Sequence, residues 1–265
     1  MTTPFCPGYA QAPFQGLVES YPDETVYPST DFRVEWGPMF HRGRLDGSAR
    51  VLVIGQDPAQ HEAIARRILM GTAGRRVQGF LAKLGITSSY VMVNTFLYSV
   101  YGQQGGAHHI NDAAITAYRN AWLKSILDNS NIQAVVVFGS LADKAWTKWL
   151  ASPAAAGRAP IEFRKLLHPT SPEAGSGDIA AATKTMLAAY NGAIVSLSPL
   201  VMPKESATIP APYGDAFTAD DLPAIPQRDL PAGLPPWMGT HGQWAVRDGQ
   251  TAAERRRSIR VTAPI

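Results

Sequence analysis

Cysteine is nearly absent: the 265 residues contain one, Cys6. A single thiol forms no internal disulfide, no four-thiolate zinc site and no iron–sulfur cluster. Cys6 could act as a nucleophile, but no partner can be read around it. Long hydrophobic runs are missing too, none reaching the ~20 residues of a membrane span. The opening Met-Thr-Thr-Pro-Phe-Cys has neither the basic start nor the apolar stretch of a secretory signal, so a cytoplasmic location is expected. No GxGxxG follows the first strand-like run and no GxxxxGK[ST] occurs, which removes dinucleotide and P-loop NTPase readings. A zinc base deaminase would need H-x-E and P-C-x-x-C, and neither is present.

What remains is an ordinary soluble composition, 45% hydrophobic and 17% charged, with a net charge of +3. A chain of this length buries one substantial core, with or without an appendage. The mild basicity is compatible with a polyanionic partner and does not establish one. Two stretches concentrate it: Arg66, Arg67, Arg75, Arg76 and Lys83 against Glu62 alone, then Arg255, Arg256, Arg257 and Arg260. Each reads equally well as a solvated helix face or as a surface for an anion.

Residues 1–48 are rich in proline, glycine and aromatics without a sustained period, and are expected to wrap the core as loops and short helices. From 51 the pattern becomes regular. The spacing predicts strands at 51–55, 90–94, 134–138 and 161–167, with helices at 60–68, 74–84, 111–129, 140–149 and 173–190. A loop is expected at 102–110. Strands alternating with helices predict a three-layer α/β/α fold with a four-stranded, mostly parallel central sheet. Residues 195–265 hold ten of the 21 prolines and little period. They read as an irregular extension packed on, or trailing from, a catalytic domain over 1–194.

Right-handed crossovers bring parallel strand ends to one edge of the sheet, where ligands bind. The four strands deliver Gln56 and Asp57, Asn94, Gly139 and Ser140, and His168. Asp57 alone could be only a helix cap, since aspartate is a favoured N-cap residue. Beside the others it forms a coherent set: a negative charge or general base, an amide that reads a donor–acceptor edge, backbone N–H groups and a hydroxyl for phosphate, and a donor for oxygen charge. Packing alone rarely produces four such deliveries. His108 and His109 with Asp112 could suggest a metal, but adjacent histidines in a Gly-rich loop read more simply as exposed, and no metal site is assigned. Trp122, Trp146 and Trp149 read as core.

These residues resemble the uracil-DNA glycosylase superfamily over about 51–190. Gly55-Gln56-Asp57-Pro58 matches the start of its GQDPYH motif, and Asn94 closes a strand as its uracil-reading asparagine does. Residues 137–144 are similar to its glycine–serine loop and the helix after it, and His168-Pro169-Thr170-Ser171-Pro172 is similar to its HPS-type motif. The resemblance implies base excision repair of DNA without a cofactor, metal or iron–sulfur cluster, by a cytoplasmic, nucleoid-associated monomer. Asp57 would activate water and His168 would stabilise the uracil O2 oxyanion. Gln56, Ala59, Leu69 and Asn94 would line the base. Gly139, Ser140, Pro169, Thr170 and Ser171 would grip phosphates around an extruded nucleotide, extrusion being required because stacking hides the glycosidic bond.

Departures matter as much. Ala59 replaces the tyrosine that crowds uracil C5, implying weaker discrimination against C5-substituted bases. Leu69 stands where a stacking phenylalanine is expected, lowering base affinity by about 1 kcal/mol. The four cluster-binding cysteines of the iron–sulfur branch are absent. No large apolar wedge follows His168, leaving Pro172, Arg75 or Arg76 to fill the gap of the flipped base. Alternatives are an N-glycosidase of free or modified nucleosides and a non-catalytic binder of damaged or abasic DNA.

Overall fold

The computed structural model describes residues 9–264, the side chains of 102–105 excepted; Phe5 and Cys6 lie outside the described residues. Along the chain come α1 (Phe14–Glu19), β1 (Arg42–Gly43), β2 (Val51–Gly55), α2 (Gln60–Ala65), α3 (Gly71–Lys83) and β3 (Tyr90–Asn94). Then follow α4 (Gly102–His109), α5 (Ala113–Asn129), β4 (Ala134–Phe138), α6 (Ser140–Leu150), β5 (Phe163–Leu166), α7 (Ser171–Ala174) and α8 (Ile179–Leu197). The C-terminal part holds α9 (Trp237–Thr240), β6 (Ala245–Arg247), α10 (Ala252–Arg257) and β7 (Ile259–Val261).

The central sheet runs β1-β3-β2-β4-β5. The four expected strands are parallel to one another, and β1 adds a fifth, antiparallel to β3 through Arg42↔Met92 and Gly43↔Val91. Two residues carry no readable period, which is why the sequence predicts four strands. Strands β2, β3 and β4 are nearly continuous apolar runs rich in valine because both sheet faces are covered. On one face Val51, Val53, Met92 and Val136 pack with Val77, Phe80 and Leu81 of α3 and Met186, Leu187 and Tyr190 of α8. On the other, Leu52, Ile54, Val91, Val135 and Val137 pack with Trp122, Leu123 and Ile126 of α5 and Trp146 and Trp149 of α6.

Helix α3 thus returns β2 to β3 on one face, while α5 and α6 serve β4 and β5 on the other. The loops after β2 and β4 part to opposite faces, and the crevice between these neighbouring strand ends is the topological switch point where α/β proteins bind ligands.

Three expectations shift locally. The 102–110 loop is the helix α4. The helix expected at 173–190 divides: α8 starts at Ile179 because the Asp178 carboxylate accepts the backbone N–H groups of Ala180 and Ala181 at 2.8 and 3.2 Å. Helix α2 stops at Ala65, with Arg66 in the left-handed region at φ 56°.

Residues beyond 199 fold back on the α/β layers. Ile225, Leu230, Met238, Trp244 and Ala245 form a cluster with Ala65 and Met70. Three carboxylates clasp this segment. Asp229, buried, accepts from Arg44 at 2.8 Å, from Arg42 at 3.3 Å and from the Tyr90 hydroxyl. Asp221 pairs with the buried Lys83 at 2.7 Å. Glu205 accepts from Arg50 and from the Thr87, Ser88 and Ser89 backbone N–H groups. Burial opposes its charge, but these bonds and the Ser89 hydroxyl hold its carboxyl at about 2.

The Asp229 cluster also fastens β1 to the sheet. Removing one partner of such a buried network strands the other charges without water, costing about 3–5 kcal/mol. Asp229→Ala is expected to lower the unfolding free energy by that amount in a urea titration. A change under about 1 kcal/mol would show that the clasp is not structural.

Candidate active site at the strand ends

Register sets the site. Gly55 of β2 lies opposite Asn94 of β3, and the pairing continues past both strands through Thr95 N–H to Gly55 O (2.9 Å) and Phe96 N–H to Gln56 O (3.0 Å). The Asn94 amide folds over β2: a Cβ on Gly55 would stand 2.3 Å from Asn94 Oδ1. Only glycine permits this contact.

Gln56 crosses the switch-point crevice. Its Oε1 accepts the Leu141 backbone N–H at 3.2 Å, satisfying an orphan donor in the first turn of α6. Gly139, at φ +94°, makes room, because a Cβ there would lie 2.6 Å from the Gln56 amide. The Gln56 side chain is therefore partly committed to this helix end, while the residue still lines the pocket.

A cavity of about 200 Å³ opens here, lined by Gln56, Asp57, Ala59, Leu69, Asn94, His168 and Thr170 among others. Six of the residues assigned from sequence to catalysis and base contact, together with Thr170, thus meet in one place. Asp57 Oδ2 accepts the Val100 N–H at 3.2 Å. Burial pushes its carboxyl up to about 6; the Val100 bond, Arg33 and Arg247 pull the other way without prevailing. His168 is driven down to about 4, first by burial and then by the Arg76 charge, with Glu173 opposing. Its Nδ1 accepts the Thr170 backbone N–H at 3.3 Å, so the neutral ring carries its proton on Nε2 and that nitrogen is a donor. Leu69 holds a left-handed backbone, φ 52°, unusual for leucine and found where structure over-determines a conformation.

Sequence reasoning missed Glu62. This buried carboxylate accepts Ala59 N–H at 3.1 Å through Oε2 and Met70 N–H at 3.0 Å through Oε1, joining two walls of the cavity. Burial lifts its carboxyl to about 7, and the Asp57 charge adds to that lift. Its signal was available: Glu62 is the third residue of α2, the acidic position of a capping box. Gln243 and His61 also line the cavity. The Gln243 amide donates to Thr72 Oγ1 at 3.1 Å, and the Ala245 N–H is 3.3 Å from His61 Nε2.

Other assigned residues stand elsewhere. Arg76 is buried, donating to Pro169 O at 2.6 Å and pairing with Glu173 at 2.6 Å; it braces the His168 turn and does not reach for phosphate. Arg75 donates to the Leu222 and Pro223 carbonyls. Arg66 holds the Trp36 and Pro38 carbonyls, both at 2.6 Å. The 61–83 cations are thus neither a solvated face nor a DNA face, because loop carbonyls and carboxylates draw them inward. Pro172 is buried and cannot be a wedge. Pro169 is also buried, and the Ser171 hydroxyl faces Met186 Sδ at 3.8 Å. Ser140 is exposed at the first turn of α6. His109 bridges Asp112 at 2.6 Å and Asp31 at 3.3 Å, which accounts for the histidine-rich segment. Among the described residues no cluster suited to a metal occurs, and no helix is long and apolar enough to cross a membrane.

The model of the uracil DNA glycosylase superfamily matches residues 42–199. The chain belongs to that superfamily. The match spans β1 to the end of α8 and contains Asp57, Asn94, Ser140 and His168. Superfamily membership supports a hydrolase of the glycosylase type acting on DNA. No curated protein matches the chain.

Asp57 supplies a test of the site's electrostatics. A carboxyl raised to about 6 binds its proton more tightly folded than unfolded. Its contribution to stability is therefore complete below about pH 4 and lost as pH rises through about 6. Asp57→Asn keeps an oxygen for Val100 and cannot ionise. It should melt a few degrees above the wild type at pH 8 and equal it near pH 4, by calorimetry. Equal melting at pH 8 would show that the buried charge is not strained.

Proposed function

We propose that the protein is a monofunctional DNA glycosylase that hydrolyses the N-glycosidic bond of uracil, and of C5-substituted or related deaminated bases, leaving an abasic site in base excision repair. The observation that carries this reading is the single cavity shared by Asp57, Asn94 and His168. The domain division belongs to the same reading, with 1–194 catalytic and 195–265 an extension that lends Gln243 to the pocket wall.

The chemistry follows from the states of these groups. Asp57, ionised above about pH 6, accepts a proton from water as the water oxygen bonds to C1′ and the bond from C1′ to the base nitrogen breaks. Its charge also opposes the positive charge growing on the sugar. The electron pair leaves with the base, where it resides largely on O2, and the neutral His168 donates Nε2–H to that oxygen. A neutral donor keeps its proton, so the base departs as an anion. Asn94 pairs with uracil N3–H and O4, the edge on which cytosine has the opposite polarity. Ala59, exposed and carrying only a methyl, leaves the space beside C5 open. Leu167, exposed immediately before His168, offers apolar surface for the gap of a flipped base.

Incubation with a uracil-containing oligonucleotide, followed by alkaline cleavage of abasic sites, tests the reading. The wild type should cut. Asp57→Asn is expected to lose a factor of about 10²–10⁴, and His168→Ala about 10²–10³. The rate should fall tenfold per pH unit below an apparent pKa near 6, from Asp57 losing its charge. His168, neutral above about 4, should add no limb between pH 5 and 9. No scission by the wild type, or full scission by Asp57→Asn, overturns the reading. Ala59→Tyr should cut excision of 5-hydroxymethyluracil relative to uracil in paired oligonucleotides; an unchanged ratio would remove the selectivity argument.

A further inference from the structure

Beyond the base pocket, a second feature begins on the other side of Asp57. A cavity of about 200 Å³ is lined by Asp57, Ala59, Gln60, Arg33 and Arg247. It shares Asp57, Ala59 and Gln60 with the base pocket. It shares Arg33, Gln60 and Arg247 with an open cavity of about 720 Å³ that extends to Arg255 and Arg256 of α10. The three form one track from the base pocket to the last turn of α10.

The track is cationic, and no salt bridge neutralises it among the described residues. Arg33 is buried, donating to Ser99 Oγ at 3.0 Å, to Val100 O and to Arg256 O at 3.2 Å, all uncharged acceptors. Its guanidinium and that of Arg256 lie 4.4 and 4.6 Å from the Tyr101 ring centroid. Arg247 is exposed and close enough for its charge to act on Arg33 and on Asp57. Nearby carboxylates are committed elsewhere: Glu254 to the Gln250 and Thr251 N–H groups at 2.6 and 3.1 Å, Asp248 to Arg260 at 3.8 Å, Glu35 to the Tyr101 hydroxyl at 2.8 Å. Asp57 and Glu35 supply the negative charge that acts on Arg33, while the exposed Arg247, Arg255 and Arg256 form no ion pair among the described residues, so an arriving anion gains Coulomb energy there.

We propose that Arg247, Arg255 and Arg256, with Arg33 behind them, form a phosphodiester-binding groove through which the C-terminal segment holds the nucleic-acid strand running away from the extruded nucleotide. This rests on the DNA glycosylase reading for the kind of anion. The exposed cations of the groove lie beyond residue 199, outside the part of the chain matched by the superfamily model, and Arg33 lies before it. The β6–α10–β7 unit presents them: Arg247 ends β6, Arg255 and Arg256 lie in the last turn of α10, and β6 pairs with β7 in the register Arg247↔Ile259. Polymer fits better than a free nucleotide, because the cavities of about 200 and 720 Å³ that continue from the base pocket offer several times its own volume of about 200 Å³.

The salt dependence of binding counts such contacts, each phosphate neutralised on a single strand contributing about 0.7 to the slope of log K against log salt. The probe is a fluorescein-labelled single-stranded oligonucleotide without uracil, with anisotropy measured on the full chain from about 50 to 200 mM NaCl. Arg247→Ala/Arg256→Ala is expected to flatten the slope by about 1.4 and weaken binding several-fold. Arg247→Lys/Arg256→Lys should restore the slope, and Lys124→Ala on α5, which removes one positive charge away from the groove, should leave it unchanged. A slope in the alanine pair equal to wild type, or a loss matched by Lys124→Ala, overturns the groove. Displacement of the oligonucleotide by equimolar deoxyuridine monophosphate would also overturn it, by marking a mononucleotide site. The two readings fail separately. Uracil excision with an unaltered slope leaves the glycosylase without the groove. An arginine-dependent slope without excision leaves the groove on a protein of another activity.

Discussion

A charged carboxylate withheld from water governs the layout of this protein. In the proposed reaction Asp57 is ionised to activate water, and burial works against that ionisation strongly enough to raise its carboxyl to about 6. Its surroundings read as responses to this cost. The Val100 N–H supplies one hydrogen bond, Arg33 and Arg247 supply positive charge from the same cavity, and the parallel pairing continues past β2 and β3 to the residue before Asp57. His168 faces the same cavity with the opposite consequence, losing its proton and becoming a neutral donor. One environment sets both groups to complementary states, the pattern expected of an acid–base site.

Glu62 adds a second carboxylate to this cavity. Its two backbone bonds tie the start of α2 to the entry of α3, so the wall carrying Ala59 and the wall carrying Leu69 move as one. The Asp57 charge adds to the lift that burial gives the Glu62 carboxyl, so the two acids of this cavity are linked electrostatically. Rigidity here has a functional reason, since reacting groups need placement within about 0.5 Å.

The C-terminal segment has two roles in this account. Asp221, Asp229 and Glu205 bind it to cations and N–H groups of the α/β layers, and the 242–245 stretch closes one side of the pocket. Its own cations remain exposed, Arg247 in the cavity that Asp57 also lines and those of α10 further along the track. The contrast with 61–83 is instructive. Both stretches are arginine-rich, yet the first is drawn inward by loop carbonyls and carboxylates, whereas Arg247, Arg255 and Arg256 stay exposed. Among the described residues, Arg255 alone of these three donates to a loop carbonyl, that of Gln250.

How much of this was legible follows from where each signal resides. Apolar runs broken by glycine located β2, β3 and β4, because strands buried on both faces need little else. The pairing of GQDP with a late His-Pro-Thr-Ser gave the family, and strand alternation placed Asp57, Asn94 and His168 on one edge. The short β1 was invisible because two residues carry no period, and the Asp229 carboxylate that holds the Arg42 side chain lies 187 residues away. The fates of Arg75, Arg76 and Ser171 were equally hidden: which carbonyl or sulfur meets a side chain is set by loops arriving from distant positions. Local order along the chain therefore specified the strands, their ends and the chemical groups delivered there, through periodicity and turn chemistry acting over a few residues. Long-range packing specified what those groups become. It made Asp57 a reluctant anion, His168 a neutral donor and Glu62 a brace, because burial, charge and partner geometry exist only once remote segments have met.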